Sequence, residues 1–206
     1  QVDDQGLLQP PQLPPSQIVI VPIYKNEVEK SKVMPVVEQV RNELQDFRVQ
    51  VDTREELTPG FKFNDWELRG VPLRIEIGPK DVERGTITFA RRDLPGKEGK
   101  STVSQMQLAG QVAEALQTIQ VSLYDQARKF RQDHTYDPKD FEELKQVVQN
   151  GWALSWWCGK SECESRVKEE TRASTRCIPL EQSGDEGNCI VCGAKSKTKV
   201  IFARSY

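Results

Sequence analysis

The chain has 206 residues, enough for one large domain or two modest ones, each able to bury a core. Hydrophobic residues make up 36% and charged residues 29%, and no apolar run approaches the ~20 residues that span a bilayer, so no membrane partner is expected. A formal net charge of -2 excludes a global basic field. Any nucleic acid would have to be held by a local patch, with moderate and salt-sensitive affinity.

In chain order, QVDDQGLLQPPQLPP has neither the basic n-region nor the apolar h-region of a signal peptide, which points to the cytoplasm. Residues 1–16 carry Pro10, Pro11, Pro14 and Pro15 without periodicity and read as a linker or the tail of a preceding domain. The β-branched run Gln17–Ile23 predicts a buried strand. Val33, Val37, Val40 and Leu44 predict a helix over 27–46, which Pro35 should kink or begin. Residues 47–51 alternate as a second strand. Thr58-Pro59-Gly60 is a turn opening a short helix over 61–70 that Gly70 closes. Residues 71–77 alternate, predicting a half-buried strand with Arg74 and Glu76 on its outer face. Gly78-Pro79 turns the chain into a strand over 85–90, and Arg91-Arg92-Asp93 begins an exposed basic loop reaching Lys100. Thr102 and Gln105 have capping-box spacing, predicting a long helix with Met106, Ala109, Val112, Leu116, Ile119, Leu123 and Phe130 on one face. Asp137-Pro138 caps a further helix that ends at Asn150-Gly151, and Lys199–Ala203 is a last strand.

Alternating strands and helices with short connections argue for a mixed α/β domain followed by a second, smaller unit. All five cysteines lie after residue 157. Cys158 and Cys163 form C-x4-C, and Cys189 and Cys192 form C-x2-C before Gly193. Two such pairs suit a closed, structural four-thiolate zinc site, with redox pairing of Cys189 and Cys192 as the alternative. Cys177, in an apolar setting, reads as a small core residue. His134 stands in a polar segment and reads as a surface residue. No phosphate loop of the GxxxxGK[ST] type and no GxSxG elbow occurs, so this chain alone is expected to catalyse nothing.

Residues 59–81, PGFKFNDWELRGVPLRIEIGPKD, interleave Phe61, Phe63 and Trp66 with Arg69, Arg74 and Lys80. That mixture suits unstacked bases: rings stack on them, guanidinium forks meet their edges and ammonium groups hold phosphates. An amphipathic helix running into a core strand would account for it more blandly.

This segment resembles the anticodon-binding signature of prolyl-tRNA synthetases of the archaeal and eukaryote-like form. DDQGLLQPPQLPPSQIVIVPI is similar to the exit of that family's catalytic domain and the first strand of its anticodon domain. FARRD, the four-cysteine unit and Arg204-Ser205-Tyr206 also match. The resemblance implies a class II ligase that activates proline with ATP and Mg2+ and transfers it to proline tRNA, working as a homodimer. It implies an α/β fold, a mixed-sheet class II anticodon-binding domain flanked by helices, followed by a small α+β zinc-binding domain. Residues 1–16 would be the tail of the catalytic domain, 17–125 the anticodon-binding domain and 126–206 the zinc-binding domain. Carried over by position, Phe63 stacks, Glu67 accepts from guanine N–H groups, and Arg74 with Lys80 meets guanine acceptors. Asp81 is a further candidate, while Phe61 and Trp66 are left as packing residues. Cys158, Cys163, Cys189 and Cys192 would hold Zn2+, and Tyr206 would fold back toward the catalytic domain. Gln1-Val2 departs from the family pattern, and the class II catalytic motifs are absent from this sequence. A free-standing RNA-binding or regulatory protein and a zinc-stapled interaction module are the rival readings.

Overall fold

The computed structural model describes residues 2–94 and 96–205, so Tyr206 lies outside the described residues. The chain divides into two compact units, Gln1–Gln126 and Ala127–Tyr206. In chain order the first holds β1 (Val2–Asp3), β2 (Gly6–Leu7), β3 (Ile18–Pro22), α1 (Glu27–Glu43), β4 (Val49–Val51), α2 (Pro59–Leu68), β5 (Leu73–Ile77), α3 (Pro79–Arg84), β6 (Thr86–Arg91) and β7 (Lys100–Ser104). Helix α4 (Leu108–Asp133) contains the division between the units.

The main sheet runs β4-β3-β5-β6-β7; β3 is parallel to β4 and β5, and the remaining pairs are antiparallel. Because side chains alternate across a strand, β3 sends Ile18 and Ile20 to one face and Val19 and Val21 to the other. The first face carries the large core, built with Val33, Val37 and Val40 of α1 and Leu108, Val112, Leu116, Ile119 and Leu123 of α4. The second is covered by α2, whose Trp66 packs with Val19, Val21 and Val71. Central strand β5 is therefore buried along its whole length. The expectation of a half-buried strand fails here: Arg74 and Glu76 do share a face, but that face lies under α2 rather than solvent.

Several local expectations are corrected by tertiary contacts. Helix α1 starts at Asn26, whose side chain accepts from Glu29 N–H at 2.9 Å, and runs through Pro35 without ending. Pro35 is exposed, so the carbonyl it leaves unpaired can face water. The polar segment after the basic loop is strand β7, not the first turn of α4. Glu43 of α1 caps α4, its Oε1 accepting from Leu108 N–H at 2.8 Å, so the Thr102–Gln105 capping box is not used. Met106 precedes that helix and is exposed, and Phe130 is also largely exposed rather than on the buried face. Gly78 leads into helix α3, where the Gly-Pro pair by itself indicates only a turn.

The second unit contains β8 (Thr135–Tyr136), α5 (Phe141–Val147), β9 (Trp152–Trp156), α6 (Ser161–Thr171), β10 (Ala173–Cys177), β11 (Gly187–Asn188), β12 (Lys195–Ser196) and β13 (Lys199–Arg204). Its sheet is ordered β10-β13-β9-β8, and Leu144, Val148, Ala153, Val167, Val200 and Phe202 form its core. Asp140, not Asp137, caps α5 by accepting from Glu143 N–H at 2.9 Å; Asp137 pairs with Lys199 instead. Cys177 ends an edge strand and is exposed, so it is not a core residue. His134 stacks on Phe130 at 3.9 Å between centroids.

Candidate functional site

Thr58 accepts from Phe61 N–H at 3.4 Å and Pro59 occupies the first turn, which together start α2. Gly70, at φ 71°, lets the chain leave the helix toward β5. On α2, residues four apart share a face. Phe63 and Glu67 therefore both meet Arg74 of β5. The guanidinium donates from Nη1 to Glu67 Oε1 at 2.8 Å and from Nε to Glu76 Oε1 at 3.1 Å, and its centre lies 4.2 Å from the Phe63 ring centroid.

The strand register completes this arrangement. Val19, Arg74, Ala90 and Lys100 stand in one row across β3, β5, β6 and β7. Lys100 thereby reaches both oxygens of Glu76, at 2.8 and 2.9 Å, and places its ammonium 5.2 Å from the Phe63 ring. The Arg74 side chain is 7% exposed and that of Glu76 9%, whereas Glu67 keeps 31%. Arg74 is thus a clamped cation and Glu67 the accessible carboxylate. Sequence reasoning placed Glu76 on the same face as Arg74 but gave it no role, and it put Lys100 at the end of a loop. Only the β6–β7 pairing brings Lys100 to the site.

The opposite pair on α2, Lys62 and Trp66, faces the loop after β4. Trp66 Nε1–H donates to Asp52 Oδ2 at 2.8 Å, and Arg54 clamps the same carboxylate from Nε and Nη2 at 2.9 and 2.6 Å. Arg54 also donates to Asp65 at 2.7 Å, and Arg69 lies 4.8 Å over the Trp66 ring. Burial opposes ionisation of Asp52, but the donors from Arg54 and Trp66 outweigh it and hold its pKa down at about 2. This network fixes α2 against the sheet. Trp66 is therefore a packing residue with one polar handle, while Phe61, expected beside it as packing, is exposed.

Lys80 and Asp81 sit on α3 and have no bond to the Arg74 cluster among the described residues. Lys80 is exposed. The Asp81 carboxylate accepts from Gly78 N–H at 2.9 Å and so closes the start of its own helix. The loop after β6 is less open than expected, since Arg92 and Asp93 are buried. Asp93 accepts from Arg91 at 3.0 and 2.6 Å, and Arg92 is held by Asp3 and by the Glu67 carbonyl.

In the second unit, Cys158 follows β9, Cys163 lies in the first turn of α6, and Cys189 and Cys192 flank a turn between β11 and β12. That turn is tied by Gly193 N–H to Cys189 O at 2.9 Å and Cys189 N–H to Ala194 O at 2.7 Å, with Gly193 at φ 74°. All four sulfurs lie within 4.8 Å of one another, with Cys158 at 3.5 Å from Cys163 and 3.7 Å from Cys192. Tetrahedral ligands at ~2.3 Å from one ion would be about 3.8 Å apart, so the donor set fits a single thiophilic metal ion. Burial pushes the Cys158 and Cys163 thiols up. For Cys189 burial also opposes ionisation, but backbone N–H groups of the turn draw its thiol down to about 7. No helix among the described residues is long and apolar enough to cross a membrane.

Residues 17–120 match the family model described as the anticodon binding domain, and residues 141–206 match the model of the prolyl-tRNA synthetase C-terminal domain. The chain is 52% identical over 205 residues to the proline--tRNA ligase of Roseiflexus castenholzii, covering 99% of this chain and 43% of that protein. It is 49% identical over 205 residues to that of Chloroflexus aurantiacus, again covering 99% of this chain and 43% of the relative. The chloroplastic/mitochondrial proline--tRNA ligase of Arabidopsis thaliana is 43% identical over 210 residues, which cover 99% of this chain and 39% of that protein. The chain thus spans less than half the length of these relatives. It belongs to the anticodon-binding domain family and carries, joined to that domain, the C-terminal domain of prolyl-tRNA synthetases.

Proposed function

We propose that this chain is the tRNA-recognising part of a proline--tRNA ligase, that its first unit reads the guanines of the proline anticodon, and that a catalytic domain outside this sequence joins proline to the tRNA using ATP and Mg2+. The observation that carries this reading is the Phe63–Glu67–Arg74 cluster, lying inside the matched anticodon-binding region. An accessible carboxylate held by a clamped guanidinium accepts well from the N1–H and N2–H groups of guanine, and no other standard base offers that donor pair. The exposed part of the Phe63 ring offers a stacking surface, the more exposed Lys100 and Lys80 supply positive charge for guanine acceptors and the backbone, and Arg74 holds Glu67 in place. Asp81 serves α3 rather than the base.

In this reading residues 1–16 lead into an anticodon-binding domain at 17–125, which is followed by a zinc-binding domain at 126–206. The four cysteines hold one Zn2+ as a structural ion, because four thiolates leave no position open for chemistry. The complete enzyme is a homodimer working in the cytoplasm. Footprinting of proline tRNA tests the central part. The bound chain should protect the anticodon guanines, and Arg74→Ala should abolish that protection while leaving contacts elsewhere on the tRNA. Protection unchanged by Arg74→Ala would count against the site.

A further inference from the structure

Arg92 lies outside the base-reading cluster and is 5% exposed. Its guanidinium joins segments far apart in the chain. Nε donates to the main-chain carbonyl of Glu67 at 3.0 Å, while Nη1 and Nη2 donate to the Asp3 carboxylate at 2.9 and 2.5 Å. Its own N–H donates to Pro72 O at 3.0 Å, just before β5. Arg92 therefore touches the residue that carries the accessible carboxylate, the lead into the strand that carries Arg74, and the β1–β2 hairpin.

The hairpin is seated closely. A Cβ on Gly6, which has φ 120°, would fall 2.5 Å from the Leu68 Cα, and one on Gly70 would fall 2.7 Å from the Leu7 Cβ. Gln9 Nε2 adds a bond to Arg69 O at 2.9 Å. Residues 3–9 thus clasp the last turn of α2, where Glu67 stands. A cleft of about 90 Å³ is lined jointly by Gln5 of the hairpin, Arg92, Glu67 and Arg74.

We infer that Arg92 is a positioning residue for Glu67, anchored by Asp3, so that the seating of the 3–9 hairpin sets how well the carboxylate distinguishes guanine. The inference rests on the guanine-reading function proposed above. A lysine at position 92 keeps the charge but cannot bridge a carbonyl and a carboxylate with a planar fork. The consequence is a change in selectivity rather than in overall RNA attraction.

The test compares binding of the full chain to RNA stem-loops carrying either the guanine pair or adenines in its place, for wild type, R92K, D3N, D3E and E67Q. R92K and D3N should each lower the guanine-over-adenine ratio by about tenfold, within the usual range of coupling between sites. Affinity for the adenine RNA and its salt dependence should stay unchanged, and D3E should recover most of the ratio. If R92K fails to fold, D3N decides, since it removes only the charge at the 40% exposed end of the pair. A full ratio in folded R92K and D3N, with E67Q losing it, overturns the positioning role alone. A full ratio in E67Q as well contradicts the guanine reading itself, and this inference with it.

Discussion

The two chemical centres are held together by opposite means. On the α2–β5 face, charges compensate one another: Arg74 lies between Glu67 and Glu76, and Glu76 also holds Lys100. At the cysteine centre, four thiols converge with no cation of the chain bonded to them among the described residues. As thiolates they would repel one another, and a single metal ion among them would offset that repulsion. The comparison teaches that the first centre should be a preformed surface, waiting for its ligand, whereas the second should be made by its ligand.

The largest effect that could break this contrast is metal removal. Structural zinc contributes roughly 10–16 kcal/mol in small domains at neutral pH, so a chelator or Cys158→Ser should open residues after 150 to hydrogen exchange while the first unit stays protected. Metal analysis should find about one zinc per chain. Full protection of both units after metal removal would erase the difference between the centres.

Next in size is Arg74→Ala. It leaves Glu67 without its partner and Glu76 with Lys100 alone. Breaking a fully buried pair from one side costs about 3–5 kcal/mol, and the exposure of Glu67 puts the loss at the lower end, about 3 kcal/mol. Urea denaturation of the first unit should show that loss, and adding Glu76→Gln should return part of it.

A smaller effect comes from Asp52. Its folded pKa of about 2 lies below its ordinary 3.8, so it stabilises the fold above pH 3.8. That contribution of about 2 kcal/mol is lost as pH falls from 3.8 toward 2. Melting temperature should drop through that window, and Asp52→Asn should flatten the drop while lowering stability near neutral pH. The smallest effect is Asp81→Ala, which should cost about 1 kcal/mol through the start of α3 and leave guanine selectivity unchanged.

Much of the architecture is legible in local patterns. The apolar run of β3, the helical spacing of α1 and α4, and the spacing within each of the two cysteine pairs all depend on neighbours a few residues away. What is hidden depends on partners far along the chain. Glu43, 65 residues before Leu108, caps α4, so the local capping signal at Thr102 misplaces the helix start and hides β7, whose one apolar residue is Val103. Period-2 alternation put Arg74 and Glu76 on one face but could not reveal that α2 covers it. For the same reason, the run after β6 reads as an exposed basic loop until Asp3, 89 residues away, neutralises Arg92. Asp81 shows the converse: a carboxylate in the signature segment turns out to serve the helix it starts.

The most direct test of the base-reading face is the binding ratio of the wild-type chain, and of Glu67→Gln, for RNA stem-loops with the guanine pair against the same loops with adenines. The wild type should favour guanine by at least about tenfold, as expected for one well-made base contact, and Glu67→Gln should bring the ratio close to one while keeping the weaker, salt-sensitive binding common to both RNAs. Equal wild-type affinity for the two RNAs would contradict the account, because the face would then hold RNA by its backbone alone.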